Sequence, residues 1–223
     1  MISPISEPFG MIRNLCIIPA RQTSKRFPRK IFASVAGKPI IQRVIERASQ
    51  AVTVDEVCLA IPDNKANREL RDYCDKYKIR YHASKLDENN VLGRIAETAH
   101  QYEPETVVRV NCDSPMILPD FIDQAVLEMR RINKKKKRVD YVGYRFKETP
   151  TVLTKYAAPE VFTYHVLKMW ATMIEHVTVA AYYEVSSAWI DLSGDPFCTT
   201  VDKPEDIKKV EFWMTESGSA QST

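Results

Sequence analysis

Short apolar runs alternate with stretches of helical periodicity along most of this chain, and few architectures accommodate that order. LCIIPA (residues 15–20) is an apolar run ending in a polar loop, the pattern of a parallel strand buried on both faces. Residues 40–51 carry Ile40, Ile41, Val44, Ile45 and Ala48 at helical spacing behind Pro39, which suits a helix start. The same reading predicts strands at 54–61, 79–82, 106–110 and 139–144, and helices at 65–77, 91–102 and 119–132. Strand and helix in alternation predict an α/β fold, a Rossmann-like, mostly parallel central sheet with helices on both faces. Later the pattern is less regular. Strands are expected at 160–162, 179–185 and 197–201, a helix at 164–174, and a last helix from Asp202 to about Met214.

Composition narrows the partners. The chain has 223 residues, 44% hydrophobic and 27% charged, which suits one globular domain at 14–214 between a flexible leader (1–13) and a flexible tail (215–223). A net charge of +3 is too small to imply a nucleic acid or a membrane surface. The basic run at 134–138 has no interleaved aromatics and reads as a solvated turn. Cys16, Cys58, Cys74, Cys112 and Cys198 form no CxxC pair and are odd in number, which argues against zinc or a disulfide framework and for a reducing, cytoplasmic setting. The start, MISPISEPFGM, lacks the pattern of a signal peptide, and no apolar run reaches bilayer-spanning length.

Sheets of this class bind ligands beyond the carboxyl ends of their strands, which selects the loops at 21–30 and 111–115. The first gathers Arg21, Lys25, Arg26, Arg29 and Lys30 around Ser24. These cations repel one another unless an anion arrives, and a triphosphate is such an anion. The loop lacks the glycines of a Walker motif. In the second loop Asp113 follows a strand, and Asp202 follows another. Two carboxylates at strand ends can hold one Mg2+, although Asp202 before KPED also suits a helix N-cap. Arg109, in an otherwise apolar strand, needs a partner, either a ligand or an internal carboxylate.

In context, IPARQTSKRFPRKIFASVAGKPII resembles the opening of the CMP-sugar cytidylyltransferases, approximately IPARxxSxRLPGKxLxxxxGKPxI, the group of the CMP-Kdo and CMP-sialic acid synthetases. NNVLGR (89–94), VVRVNCDSPMILPDFID (107–123), PEVFTYHVL (159–167), IEHVT (174–178) and TVDKPEDIKKV (200–210) are similar to stretches of its SpsF-like, spore-coat polysaccharide branch.

The resemblance implies a GT-A-like nucleotidyltransferase fold and a cytoplasmic, Mg2+-dependent transfer of CMP from CTP to a small acidic sugar or related acceptor. Pyrophosphate would be released, in surface polysaccharide or glycoconjugate biosynthesis. It implies catalytic roles for Arg21, Lys30 and Asp113, and nucleotide contacts from Ala20, Arg21, Ser24, Lys25, Arg26, Lys30, Arg94 and Arg109. Asp113 and Asp202 would be the metal ligands. Glu160, Glu175 and His176 would face the acceptor, the last two being equally readable as a structural pair. A homodimer is implied as well, with 156–185 as the dimerisation and acceptor subregion and Tyr182, Tyr183 and Trp189 as its aromatic surface.

Three positions depart from the pattern: Cys112 and Arg29 stand where the family has Gly, and Asn90 where it has Asp. The Gly-poor opening loop separates the chain from sugar-1-phosphate enzymes. A phosphate or phosphonate acceptor, another NTP, or a non-catalytic nucleotide-binding relative remain open at this point.

Overall fold

The computed structural model describes residues 12–135, 138–146, 158–172, 186–192 and 200–220. The strand expected at 179–185 and most of that at 197–201 lie outside them, as do Glu175, His176, Tyr182, Tyr183 and Cys198.

In chain order the elements are β1 (Asn14–Pro19), a 3-10 turn (Lys30–Phe32), β2 (Ser34–Val35), β3 (Lys38–Pro39), α1 (Ile40–Ala48) and β4 (Glu56–Pro62). A second 3-10 turn (Lys65–Asn67), α2 (Arg68–Tyr77), β5 (Tyr81–Ser84), α3 (Val91–His100), β6 (Thr106–Arg109) and α4 (Pro119–Lys134) follow. The remaining elements are β7 (Tyr141–Phe146), β8 (Glu160–Thr163), α5 (Tyr164–Ala171), β9 (Ser187–Leu192) and α6 (Asp206–Ala220).

Seven strands form one sheet in the order β5-β4-β1-β6-β8-β7-β9, and only β8 runs antiparallel to its neighbours. Burial on both faces explains the uninterrupted apolar runs. Alternate residues of a strand point to opposite faces. Cys16 and Ile18 of β1, with Leu59 and Ile61 of β4, meet α1, α2, α4 and α6 through residues such as Val44, Leu70, Val126 and Val210. Leu15, Ile17, Cys58 and Ala60 meet α3 and α5 on the other face through Ile95, Leu167 and Trp170.

The chain leaves β1 leftward for β4 and β5, then returns to place β6 on the other side of β1. The order of strands therefore reverses between β1 and β6, and the loops after these two strands face one crevice. A small hairpin follows the basic loop. Ala36 and Gly37 form its two-residue turn with φ of 45° and 82°, a conformation matched to strand twist. The Ala36 amide donates to the Glu211 carboxylate at 2.8 Å, tying this hairpin to α6.

Three expectations are corrected. SAWIDL, passed over in the sequence, forms β9 beside β7. Its residues alternate only between exposed and half-buried, too weak a contrast to announce a strand. The last helix opens at Asp206, not Asp202: residues 203–205 form a turn in which the Asp206 amide bonds to the Lys203 carbonyl at 3.1 Å, while the Asp206 carboxylate reaches back to accept from the amides of Asp202 and Lys203 at 3.0 and 2.9 Å. It continues beyond Met214 to Ala220.

Candidate functional site

The basic loop is held from below. Gln22, buried, donates its backbone amide to Asn67 Oδ1 at 2.8 Å, accepts the Leu70 amide at 2.9 Å on its own Oε1, and donates Nε2 to Glu69 at 3.0 Å. Sequence reasoning missed this anchor because a lone Gln between cations carries no motif. The Arg29 amide bonds back to the Gln22 carbonyl at 3.0 Å, and the Phe27 amide donates to Ser24 Oγ at 3.2 Å. Arg29 has φ 57° and ψ 22°, the left-handed region, which accounts for Gly in the related motif. Its guanidinium turns away from the crevice onto Glu69. Lys25 is exposed, and Ala20 is buried behind the loop.

The two carboxylates come together through main chain. The Val201 amide donates to the Asp113 carbonyl at 2.8 Å, placing Asp202 beside Asp113. Asp202 precedes the helix start by four residues, and its Oδ1 meets Lys30 and Arg26. Lys30 Nζ lies 2.5 Å from Asp113 Oδ2 and 3.3 Å from Asp202 Oδ1, and Arg26 lies 3.0 Å from the same Asp202 oxygen. Burial alone would lower the Lys30 pKa; the Asp113 carboxylate, with smaller contributions from Cys112 and Asp202, offsets it, and the ammonium is held above its ordinary value. Two carboxylates converging on one positive charge suit a hard cation such as Mg2+, which takes one or two carboxylates and completes its shell with phosphate oxygens and water. Among the described residues there is no cluster of three or more His, Cys, Asp or Glu placed to hold a metal.

These groups line a cavity of about 500 Å3. Arg21, Ser24, Arg26 and Lys30 line it together with Cys112, Asp113 and Asp202. Arg94, Arg109, Asn89, Asn111 and Thr200 also line it. Asn89, Asn111 and Thr200 were missed, although each stands inside a motif quoted above. A volume of this order suits a small ligand.

The motif NNVLGR explains itself as a support for Arg94. Asn90 caps α3 by accepting the Gly93 amide at 2.8 Å, a role Asp fills equally well. A Cβ on Gly93 would stand 2.7 Å from Asn90 Oδ1, so any side chain here displaces the cap. Arg94, one residue on, is buried at 1% exposure and donates to the Glu88 carbonyl at 2.5 Å. Its Nε is buried without a hydrogen-bond partner. Burial and then the nearby Arg21 charge lower its pKa.

Arg21 reaches across to Asn89 Oδ1 at 3.3 Å and to Glu88 at 3.7 Å. Arg109 and Glu160 are opposite residues of β6 and β8 and form an ion pair. The other Glu160 oxygen accepts from Tyr141 at 3.0 Å, so this carboxylate, expected at the acceptor, is occupied inside the protein. Cys112 puts a thiol on the cavity wall. Burial and then the Asp113 charge push its pKa up to about 12, so it stays protonated at neutral pH.

Among the described residues no helix is long and apolar enough to cross a membrane. A family model described as cytidylyltransferase matches residues 15–182. Over 110 residues the chain is 37% identical to a 3-deoxy-manno-octulosonate cytidylyltransferase of Geobacter sulfurreducens, covering 49% of this chain and 42% of that protein. It is 38% identical over 112 residues to the enzyme of the same name from Anaeromyxobacter sp. (strain K), covering 49% and 44%. The matched part thus spans less than half the length of these relatives.

Among solved structures, a CMP:2-keto-3-deoxy-manno-octonic acid synthetase complexed with CTP superposes with a TM-score of 0.70 at 18% identity, covering 92% of this chain and 99% of the other. A cytidylyltransferase from Leptospira borgpetersenii superposes with a TM-score of 0.75 at 18% identity, covering 90% and 85%. At such identities these superpositions establish the shared α/β fold.

Proposed function

The chain belongs to the cytidylyltransferase family, and from that premise we propose that it transfers CMP from CTP to a small acidic sugar, releasing pyrophosphate, in surface polysaccharide or glycoconjugate biosynthesis. The observation that carries this reading is the cavity at the strand-order reversal. There Lys30 and Arg26 pair with Asp113 and Asp202, and Arg21 lines the same space, so cations for a triphosphate and carboxylates for a metal share one cavity.

In the transfer, an acceptor oxygen attacks the α-phosphorus in line. A new phosphorus–oxygen bond forms as the acceptor hydroxyl gives up its proton to solvent, the bond to the bridging oxygen breaks, and its electrons leave with pyrophosphate. The protein positions the reactants and neutralises charge. Arg21, Arg26 and Lys30 serve the phosphates, and Ser24 offers a hydroxyl beside them. Arg94, buried, also lines the same cavity. Asp113 and Asp202 would hold Mg2+, which when bound neutralises phosphate charge and polarises the phosphorus–oxygen bond. An acceptor bearing a carboxylate is drawn to a cavity rich in guanidinium groups. A homodimer and a kinship to the SpsF-like branch belong to this proposal.

Pyrophosphate release, measured with each of the four NTPs and a panel of acidic sugars, phosphates and phosphonates, tests the reading. CTP with an acidic sugar and Mg2+ should turn over best, and Asp113→Asn should lower the rate by about 100-fold or more. Strong preference for UTP or dTTP, or CTP binding with no turnover on any acceptor, would overturn it.

A further inference from the structure

Taking Asp113 and Asp202 as the cation site, we propose that Lys30 is an internal counter-ion that closes this pair to a free divalent cation, so that the cation is taken up only together with the nucleotide. The ammonium already lies within hydrogen-bond reach of both carboxylates, at 2.5 and 3.3 Å, and Arg26 adds a second positive charge at Asp202. These four charges cancel. A dication arriving without an anion meets oxygens whose charge is spent, beside an ammonium in a partly buried pocket where repulsion is weakly screened.

Lys30 cannot retreat by moving its backbone. Its own amide bonds to the Phe27 carbonyl at 3.2 Å and its carbonyl accepts from Ala33 at 3.0 Å, while the next residue, Ile31, is fully buried in the core. Its side chain is 10% exposed, so only rotation about the side-chain bonds frees the carboxylates.

A triphosphate provides the reason to rotate. It enters the cavity that Lys30 and both carboxylates line, and its oxygens offer the ammonium another anionic partner. Once the ammonium turns to phosphate, the carboxylates are bare and the cation binds. Linkage makes this reciprocal: nucleotide strengthens cation binding and cation strengthens nucleotide binding by the same factor. Phosphate oxygens that ligate the cation give coupling of the same sign, so the lysine's part is seen only without nucleotide.

Binding of Mn2+ alone, followed by loss of the free-ion electron spin resonance signal, isolates it. The proteins compared are the full chain, Lys30→Met, Arg26→Met and the double variant Lys30→Met/Asp113→Asn. Lys30→Met should bind Mn2+ about tenfold or more tighter than the native chain. The double variant should lose that gain, and Arg26→Met, which removes an exposed charge, should change binding far less. Mn2+ should also raise the Tm of Lys30→Met and leave that of the native chain unchanged.

Native and Lys30→Met chains binding Mn2+ equally would overturn the inference, as would an equal gain in Arg26→Met, which marks an effect of net charge alone. If neither chain takes up Mn2+ even with CTP present, the cation site itself fails. Uptake with CTP by both, without a difference in its absence, removes only the role of Lys30. Should Lys30→Met not fold, Lys30→Gln, which keeps a donor for Asp113, enters the same comparison.

Discussion

Replacing Gly93 by Ala tests whether the turn before α3 is built to support Arg94. In an open helix that change gains about 1 kcal/mol through helix propensity. Here the new Cβ would stand 2.7 Å from Asn90 Oδ1 and 2.7 Å from Leu86 Cδ1. Asn90 must swing out, and the cap it provides to the Gly93 amide is lost, at a cost of about 1 kcal/mol. Leu86 must repack, which adds about 1 kcal/mol more. The two losses exceed the gain, so Gly93→Ala should destabilise by about 1 kcal/mol, read as a lower urea midpoint at unchanged m-value. Because the Glu88 carbonyl that holds Arg94 lies in the displaced turn, the affinity for CTP should fall as well. In an Asn90→Ala background the cap and its obstruction are already gone, and Gly93→Ala should be close to neutral. A single variant more stable than the native chain, or no coupling between the two sites, refutes the argument.

Arg29→Gly should leave stability within about 1 kcal/mol of native, since relief of the left-handed backbone offsets the loss of an exposed ion pair to Glu69. Pyrophosphate release should be unchanged, because the Arg29 side chain lies off the cavity; a tenfold loss would show that the guanidinium serves the ligand. Glu160→Leu strands the Arg109 guanidinium and should cost about 2–4 kcal/mol in chemical denaturation, a loss that Arg109→Met in the same chain should largely restore. Failure of that rescue would mean that Glu160 acts through something other than its pairing with Arg109.

Much of the fold was legible because β1, β4, α1, α3 and α4 each carry a strong local pattern. Helix and strand periods are written residue by residue, and two-sided burial leaves an unbroken apolar run. The edge strand β9 was missed for want of that contrast, and the true start of α6 was hidden because Asp202 and Asp206 both suit a helix beginning. Where Asp202 points is settled by the bond from the Val201 amide, its sequence neighbour, to the carbonyl of Asp113, about ninety residues earlier in the chain. Among the site residues, the cations of 21–30 and Asp113 stood out as a charge cluster and a strand end. Gln22, Asn89 and Thr200 did not, since each acts only through neighbours supplied by other elements.

By itself the sequence determined the α/β alternation, the basic loop after the first strand, and an aspartate just past a strand end at Asp113 with a second at Asp202. Tertiary structure alone decided what these groups touch. Pairing β1 with both β4 and β6 brings the loops at 21–30 and 111–115 to one crevice. The antiparallel register of β8 commits Glu160 to Arg109, and the left-handed turn at Arg29 sends one cation of the loop to Glu69 while Lys30 meets both carboxylates. Charge and periodicity are properties of the local chain. Which charge finds which partner is decided by strand order and loop closure, and those are set by burial across the whole sheet.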